Sequence, residues 1–255
     1  LVLFMFVDVH THLYYPKFES DLDEVIARAK SAGMVSIINA GTDHESNVKV
    51  LELTKKDEIL NATLGIYPTT IEKMSEEELD DELKFIKKNK DKILGIGEIG
   101  LDFHLTKDKE LQEKQVNFFK KTLTTLKELN KPFVIHSRKA ERECIEILEE
   151  LKIKKVVFHC FSGKFSLIKR IEGNGWLISI PANIDKSEHF QGAVQKTSIS
   201  NLLTETDAPF LAPKDKDRSE PSFVINTINK IAELKKLDKE EVKKNIFLNY
   251  QRTFL

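Results

Sequence analysis

Short apolar runs alternate along the chain with longer stretches whose apolar residues fall on one helical face. Residues 22–29, 118–129 and 145–151 are such stretches and indicate amphipathic helices. The runs are rich in Ile, Val, Leu and Phe and show little alternation, as expected of strands buried on both faces. They cover eight segments: Leu3–Val9, Met34–Ala40, Ile59–Ile66, Ile93–Ile99, Pro132–Ile135, Val156–Phe158, Trp176–Ile180 and Asn201–Leu203.

Eight strands that alternate with helices over 255 residues are the pattern of a (β/α)8 TIM barrel. We therefore predict an α/β barrel that residues 1–255 form as a single domain. A doubly wound open sheet is the rival arrangement, because it also alternates parallel strands with helices. Residues 235–255 are predicted to form a final helix that covers the barrel.

Composition and charge exclude several classes of protein. Hydrophobic residues make up 40% of the chain, which is enough for a large core and excludes a disordered protein. Lys and Arg number 40 against 41 Asp and Glu, so a globally basic nucleic-acid coat is excluded, although a local basic patch is not. Two cysteines favour a reducing compartment, so we expect a cytoplasmic protein. We also expect a monomer. The apolar run at residues 1–7 is too short to span a bilayer, so no membrane partner is expected.

Candidate metal ligands stand at the ends of five of the runs. The carboxyl ends of the strands form the catalytic face of a parallel barrel, so these side chains are expected to meet there. His10 and His12 are two positions apart and face the same side of a strand. Six ligands exceed the needs of one tetrahedral ion and favour two ions about 3.5–4 Å apart, with Glu98 as the bridge. The six are His10, His12, Glu98, His136, His159 and Asp207.

Other interpretations of these residues compete. Taken singly, His136 or His159 is better explained as a hydrogen-bonded core histidine, and only the combination favours a metal centre. Gly95–Gly100 matches the G-x-G-x-x-G pattern of dinucleotide sites, but no helix pattern follows at once and Glu98 repels phosphate. We attribute these glycines to close backbone packing. Cys160 is expected to face away from the ligands as a buried structural thiol.

Five motifs, taken together and in order, resemble those of the TatD family of metal-dependent deoxyribonucleases. They are FVDVHTHL at 6–13, GIGEIGLD at 95–102, PFVIHSR at 132–138, HCFSG at 159–163 and LTETDAPFL at 203–211. The resemblance extends over nearly the whole chain and implies a (β/α)8 barrel with two divalent cations. Histidine and carboxylate ligands suit Zn²⁺ and Mn²⁺, and Mg²⁺ is a third candidate.

The resemblance also implies roles for the ligands. One cation is expected at His10, His12, Glu98 and Asp207, and Glu98 is expected to bridge to a second cation at His136 and His159. The implied reaction is exonuclease-type hydrolysis of DNA, at single strands or frayed ends, by a water that the two metals activate. Asp207 is the expected proton acceptor. Two alternatives on the same barrel are a hydrolase of a small amide, ester or lactone and a proofreading hydrolase of aminoacyl-tRNA.

The chain departs from the family pattern at Tyr67, where a histidine is usual. A phenol still donates a hydrogen bond, so Tyr67 is expected to contact the substrate. Three positively charged side chains that follow strand ends are expected to bind phosphates: Arg138, Lys164 and Arg218. The two arginines are expected to do so through a bidentate contact. Aromatic residues beside the motifs are candidates for stacking on bases, with core packing favoured for Phe161: Tyr14, Tyr15, Phe103 and Phe161.

Overall fold

Eight parallel strands lie side by side in chain order in the computed structural model, which describes residues 5–255. Each strand pairs with the next one along the chain. Their bounds are Phe6–Thr11 (β1), Met34–Ala40 (β2), Leu60–Leu64 (β3), Gly95–Gly100 (β4), Phe133–His136 (β5), Val156–Phe158 (β6), Leu177–Ile180 (β7) and Leu202–Thr204 (β8).

The sheet curls round until β8 lies beside β1. The hydroxyl of Thr204 donates to the carbonyl of Val7 at 2.8 Å. The backbone N–H of Asp207 donates to the carbonyl of His10 at 2.9 Å. These bonds nearly close the barrel, and the strand order never reverses as it does in a doubly wound sheet. The predicted (β/α)8 barrel is therefore confirmed over the open sheet.

Ten α-helices occur among the described residues, and most of them connect successive strands. Asp43 and Ser75 begin two of them, each accepting a hydrogen bond from the backbone N–H three residues on. Within residues 5–255, no helix combines the length and the apolar character needed to cross a membrane. The bounds are Leu22–Ser31 (α1), His44–Leu53 (α2), Pro68–Ile71 (α3), Glu76–Lys88 (α4), Lys109–Leu126 (α5), Glu141–Glu150 (α6), Ile168–Gly173 (α7), Glu188–Lys196 (α8), Val224–Lys235 (α9) and Lys239–Phe254 (α10).

The strand bounds agree with the predicted runs to within a few residues. β1 extends to Thr11 and β5 to His136, so these strands carry candidate ligands within them. Residues 3–4 of the first predicted run lie outside the described residues. The helix predicted over 235–255 is confirmed as α10, which begins later because Lys236 adopts a left-handed backbone conformation that ends α9.

The strands bury their apolar side chains on both faces, as their composition predicts. Ile37, Val134 and Ile178 have no exposed surface. Trp176 is also buried, and its indole N–H donates to the carbonyl of Ile153 at 3.0 Å, so no polar atom of the ring lacks a partner. Burial of each such aliphatic side chain contributes about 1.5–3 kcal/mol. This packed core holds the strand ends, and hence the candidate ligands, in fixed positions.

Candidate metal centre

The six candidate ligands lie together at the carboxyl ends of the strands. His10 and Glu98 are buried within β1 and β4, and Asp207 follows the end of β8. The side chain of Asp207 is 16% exposed, whereas that of Glu98 is 4% exposed, so Asp207 is the more open of the two carboxylates. Three sets of ligand atoms lie within 4.8 Å of one another: His10, His159 and Asp207; His10, His12 and Glu98; Glu98, His136 and His159.

Glu98 lies between two pairs of imidazoles and turns one carboxylate oxygen to each pair. Its Oε1 atom is 2.8 Å from Nδ1 of His136 and 2.9 Å from Nε2 of His159. Its Oε2 atom is 3.4 Å from Nε2 of His10 and 3.7 Å from Nε2 of His12. Each pair therefore has its own carboxylate oxygen, which is the arrangement of a ligand able to bridge two cations.

Asp207 adds a second carboxylate to the pair formed by His10 and His12. Its Oδ1 atom is 3.3 Å from Nε2 of His12 and 3.7 Å from Nε2 of His10. Nδ1 of His12 is 2.9 Å from the carbonyl of Ala40, to which a protonated Nδ1 donates. That hydrogen bond leaves the lone pair of Nε2 directed at the carboxylates, as a metal ligand requires.

His10 shows most directly that this cluster fits a cation. Its side chain has no exposed surface, and neither ring nitrogen has a hydrogen-bond partner among the described residues. Burial lowers the pKa of His10, which favours the neutral imidazole with a free lone pair. A buried polar atom without a partner is costly, and a cation bound at Nε2 removes that cost.

Glu98 is held as a carboxylate despite its burial. Burial alone raises the pKa of a carboxyl group. At Glu98 the charge of His159 and the closeness of the other imidazoles outweigh burial, so the pKa lies well below its ordinary value. The centre of the cluster therefore keeps the negative charge that divalent cations need.

Two glycines allow β4 to carry Glu98 close to β5. Gly97 has φ of +154°, and a Cβ atom there would lie 2.7 Å from Cβ of Val134. Gly100 has φ of +141°, and a Cβ atom there would lie 1.9 Å from the carbonyl oxygen of His136. Only glycine fits both positions. The next helix begins at Lys109, so the pattern serves close strand packing and not a dinucleotide.

Asp102 fixes the orientation of His136. Its Oδ2 atom is 2.9 Å from Nε2 of His136 and accepts the hydroxyl hydrogen of Tyr67 at 3.1 Å. Its Oδ1 atom accepts from the backbone N–H groups of His104 and Leu105, at 2.9 and 2.7 Å. With its Nε2–H bound in this way, His136 directs Nδ1 at Glu98. Such outer carboxylates orient the histidine ligands of metal sites.

Asp8 and Glu205 are further buried carboxyl groups behind the ligands. Asp8 accepts a hydrogen bond from the backbone N–H of His10 at 3.2 Å, and burial raises its pKa well above the ordinary value. Glu205 accepts the hydroxyl hydrogen of Ser179 at 2.5 Å and lies 3.7 Å from Nδ1 of His159. Both groups support residues of the cluster from outside it.

The sequence reasoning did not identify Asp8, Asp102 or Glu205. A signal for two of them was present, because Asp8 and Glu205 each precede a candidate ligand, His10 or Asp207, by two positions. In an extended segment that spacing puts both side chains on one face. Asp102 had no comparable signal, since its contact with His136 depends on how two strands are placed side by side.

Five of the six candidate ligands, all except His10, line a cavity of about 730 Å³ that opens at the mouth of the barrel. Tyr67 and Arg138, two of the four residues expected to contact substrate, line this cavity. Lys164 and Arg218 are described residues but are not among its lining. The structure therefore brings two of the four beside the cluster.

Arg218 is bound elsewhere, at the start of the first helix. Its guanidinium donates to both carboxylate oxygens of Asp21, at 2.8 and 2.6 Å. It also lies over the ring of Phe18, with 4.3 Å between the guanidinium carbon and the ring centroid. These contacts join the segment after β8 to the segment before α1.

Some of the residues expected to stack on bases line the cavity, and others do not. Tyr15 lines the cavity, whereas Phe161 is fully buried, as core packing predicts. Cys160 lies in the cavity lining and not on the far side of a strand, because β6 already ends at Phe158. Burial raises the pKa of the Cys160 thiol well above its ordinary value, which disfavours a nucleophilic thiolate.

Comparison with known proteins gives a consistent result. A family model described as "TatD related DNase" matches residues 7–255. An uncharacterized metal-dependent hydrolase of Methanocaldococcus jannaschii, MJ1582, is 38% identical, with 98% of this chain and 96% of that protein aligned. Human deoxyribonuclease TATDN3 is 32% identical over 92% of this chain and 89% of its own length.

A solved structure is similar over the same extent. The crystal structure of YjjV, a TatD homologue from Escherichia coli K12, superposes with a TM-score of 0.90 at 26% sequence identity. The superposition covers 100% of this chain and 99% of that one. The barrel, its order of strands and its length are thus shared with an experimentally determined structure.

Proposed function

Because this chain belongs to the TatD family and is a metal-dependent hydrolase, we propose that it hydrolyses phosphodiester bonds at single-stranded or frayed DNA ends. The observation that carries the proposal is that Glu98 turns one carboxylate oxygen to each of two pairs of imidazoles. Its Oε1 atom is 2.8 Å from Nδ1 of His136, and its Oε2 atom is 3.4 Å from Nε2 of His10. Two-metal centres with a bridging carboxylate are typical of phosphodiester hydrolysis. The relative named deoxyribonuclease TATDN3 supports the same substrate.

The proposed centre has two cation positions. His10, His12, Asp207 and Oε2 of Glu98 would hold one cation, and His136, His159 and Oε1 of Glu98 would hold the other. When bound, divalent cations at these positions polarise a phosphoryl oxygen and lower the pKa of water towards neutrality. The nitrogen and carboxylate ligands suit Zn²⁺ and Mn²⁺, with Mg²⁺ as the third candidate.

Asp207 is the proposed proton acceptor. It lines the cavity, and its side chain is more exposed than that of Glu98, so a carboxylate oxygen is accessible to the attacking water. Glu98 is proposed to keep both of its oxygens occupied within the cluster. The two carboxylates thus have different roles, because their exposure differs.

Arg138 and Tyr67 are the proposed substrate contacts within the cavity. The guanidinium of Arg138 is suited to a bidentate contact with phosphate oxygens. The formal net charge of the whole chain is −1, so attraction to DNA depends on a few local groups and not on a broad basic surface. A local grip of this kind favours ends and short single-stranded segments over long duplex tracts.

Digestion of end-labelled DNA tests this proposal. Purified protein is incubated with single-stranded, frayed and blunt DNA in Mg²⁺, Mn²⁺ or Zn²⁺, with chelator and Glu98→Ala as controls. We expect metal-dependent shortening of the first two substrates, absent in both controls. If no metal supports cleavage, the deoxyribonuclease proposal is wrong. A panel of amides, esters and lactones then tests the small-molecule alternative.

A further inference from the structure

Two aromatic rings stand at the rim of the cavity, beside one of the candidate ligands. The rings of Tyr15 and Phe210 are 5.2 Å apart between centroids and nearly perpendicular, at 83°. Their centroids lie 5.9 and 6.2 Å from that of His12. Both residues line the cavity, so the ring pair and the metal cluster face the same space.

Both rings belong to segments that are hydrogen-bonded to the cluster. The backbone N–H of Tyr15 donates to the carbonyl of His12 at 3.1 Å, and that of Phe210 donates to the carbonyl of Asp207 at 2.8 Å. Tyr14 packs against Tyr15, with 5.2 Å between ring centroids. Backbone hydrogen bonds therefore tie the segments that carry the two rings to the segments that carry His12 and Asp207.

Phe210 is 42% exposed, whereas most large apolar side chains of the described residues are buried in the core. Covering an exposed phenyl ring with a flat apolar group removes apolar surface from water and is favourable in free energy. In the lining of the same cavity, Arg138 offers a positive charge. The lining therefore combines cation positions, a guanidinium and an aromatic pair, which match the phosphates and the base of one nucleotide.

We propose that Tyr15 and Phe210 bind the base of the nucleotide next to the scissile phosphate. This inference rests on the proposed deoxyribonuclease function and adds a base-binding subsite to it. Because every base has a π face, the subsite accepts all four bases and selects unpaired ones, whose faces are free. The proposed preference for single strands and frayed ends then follows from the ring pair, which accepts only a base whose face is free.

The kinetic test compares oligonucleotides with and without a base at the terminal position. Single strands end either in a normal nucleotide or in an abasic analogue, placed at the 3′ or the 5′ end to cover both polarities. For the wild type, loss of the base at the attacked end is expected to lower kcat/KM about 10- to 100-fold, the effect of one base–aromatic stack. Phe210→Ala is expected to lower kcat/KM by a similar factor on the normal strand and hardly at all on the abasic strand.

Two further variants control this comparison. Phe210→Trp keeps an aromatic face and is expected to retain most of the activity. Phe165→Ala removes a phenyl ring of similar exposure, 38%, that lies outside the cavity lining, and is expected to behave as the wild type. Equal losses by Phe210→Ala on the normal and abasic strands overturn the proposed subsite while leaving DNA hydrolysis intact.

Fluorescence separates this subsite from the hydrolytic function. An oligonucleotide with terminal 2-aminopurine is titrated with protein in Ca²⁺, and stacking on the ring pair is expected to quench its emission. Quenching by the wild type and by Phe165→Ala, but not by Phe210→Ala, supports the subsite even if no DNA hydrolysis is found. Equal quenching by all three proteins overturns it even if DNA is hydrolysed.

Discussion

The hydroxyl of Tyr67 donates to Oδ2 of Asp102 at 3.1 Å, the same oxygen that lies 2.9 Å from Nε2 of His136. The resemblance to the TatD family implies a histidine at this position, and in this chain a phenol reaches the outer carboxylate. Burial raises the pKa of Tyr67, and the charges of Glu98 and Asp102 raise it further, which keeps the phenol neutral and a hydrogen-bond donor. The residue therefore supports a candidate metal ligand and also faces the cavity.

Substitution of Tyr67 tests both of these roles. Tyr67→Phe keeps the ring and removes one hydrogen bond to a carboxylate, so we expect kcat/KM to fall roughly 3- to 10-fold. Tyr67→His restores the usual family residue and is expected to raise activity above that of the wild type. Steady-state kinetics on single-stranded DNA measure both changes. An unchanged rate in both variants contradicts a functional role for this position.

Asp102→Asn is expected to weaken metal binding at the His136 side of the cluster. Asparagine has a similar shape but lacks the charge that holds Nε2–H of the histidine. Loss of an outer-shell partner typically costs 10- to 100-fold in metal affinity or activity, and we expect a loss of about that size. Titration with Zn²⁺ or Mn²⁺ measures it. Asp91→Asn, on the exposed surface, is the matched control and is expected to bind as the wild type.

Glu98→Ala is expected to lower kcat about 10³-fold or more. Bound cations stabilise the transition state by several kcal/mol, and each ~1.36 kcal/mol of activation free energy changes the rate tenfold. Elemental analysis is expected to find two divalent cations per wild-type chain and at most one in the variant. Glu77→Ala, an exposed glutamate of α4, serves as the control. Two bound cations in Glu98→Ala would show that this carboxylate is not the bridge.

Arg138 and Arg218 are expected to respond differently to removal. Arg138→Ala loses a charged phosphate contact worth about 1.5–3 kcal/mol, so KM for DNA is expected to rise roughly 10- to 100-fold with little change in melting temperature. Arg218→Ala loses its partly exposed pairing with Asp21 and is expected to lower the melting temperature by about 2–4 °C, for a loss near 1 kcal/mol. Kinetics and thermal melts on both variants decide between the roles. The reverse pattern would mean that Arg218 binds the substrate.

Apolar runs and the polar residues that end them were enough to predict the barrel and the meeting of six side chains. Both follow from local pattern, because strands buried on both faces are mostly apolar, and metal-capable side chains recur where these runs end. Contacts between strands were harder to predict. The bond between Asp102 and His136 depends on the register of β4 against β5, which no single segment encodes.

Surface placement was the least predictable part. Arg218 follows the last strand, as a phosphate-binding residue would, yet it pairs with Asp21, 197 positions earlier in the chain. Phe210 follows a proline inside a family motif and reads in the sequence like any core aromatic. Its exposure at the rim depends on the turn that begins at Asp207, where φ is +50°.

The seam between β1 and β8 has a consequence for how the candidate site is assembled. His10 and Asp207 are 197 positions apart in the chain, and the two meet only where β8 lies beside β1. Without β8 and the segment after it, the barrel keeps five of the six candidate ligands but lacks Asp207 at the first proposed cation position. Completion of the proposed centre and closure of the barrel therefore depend on the same strand, β8.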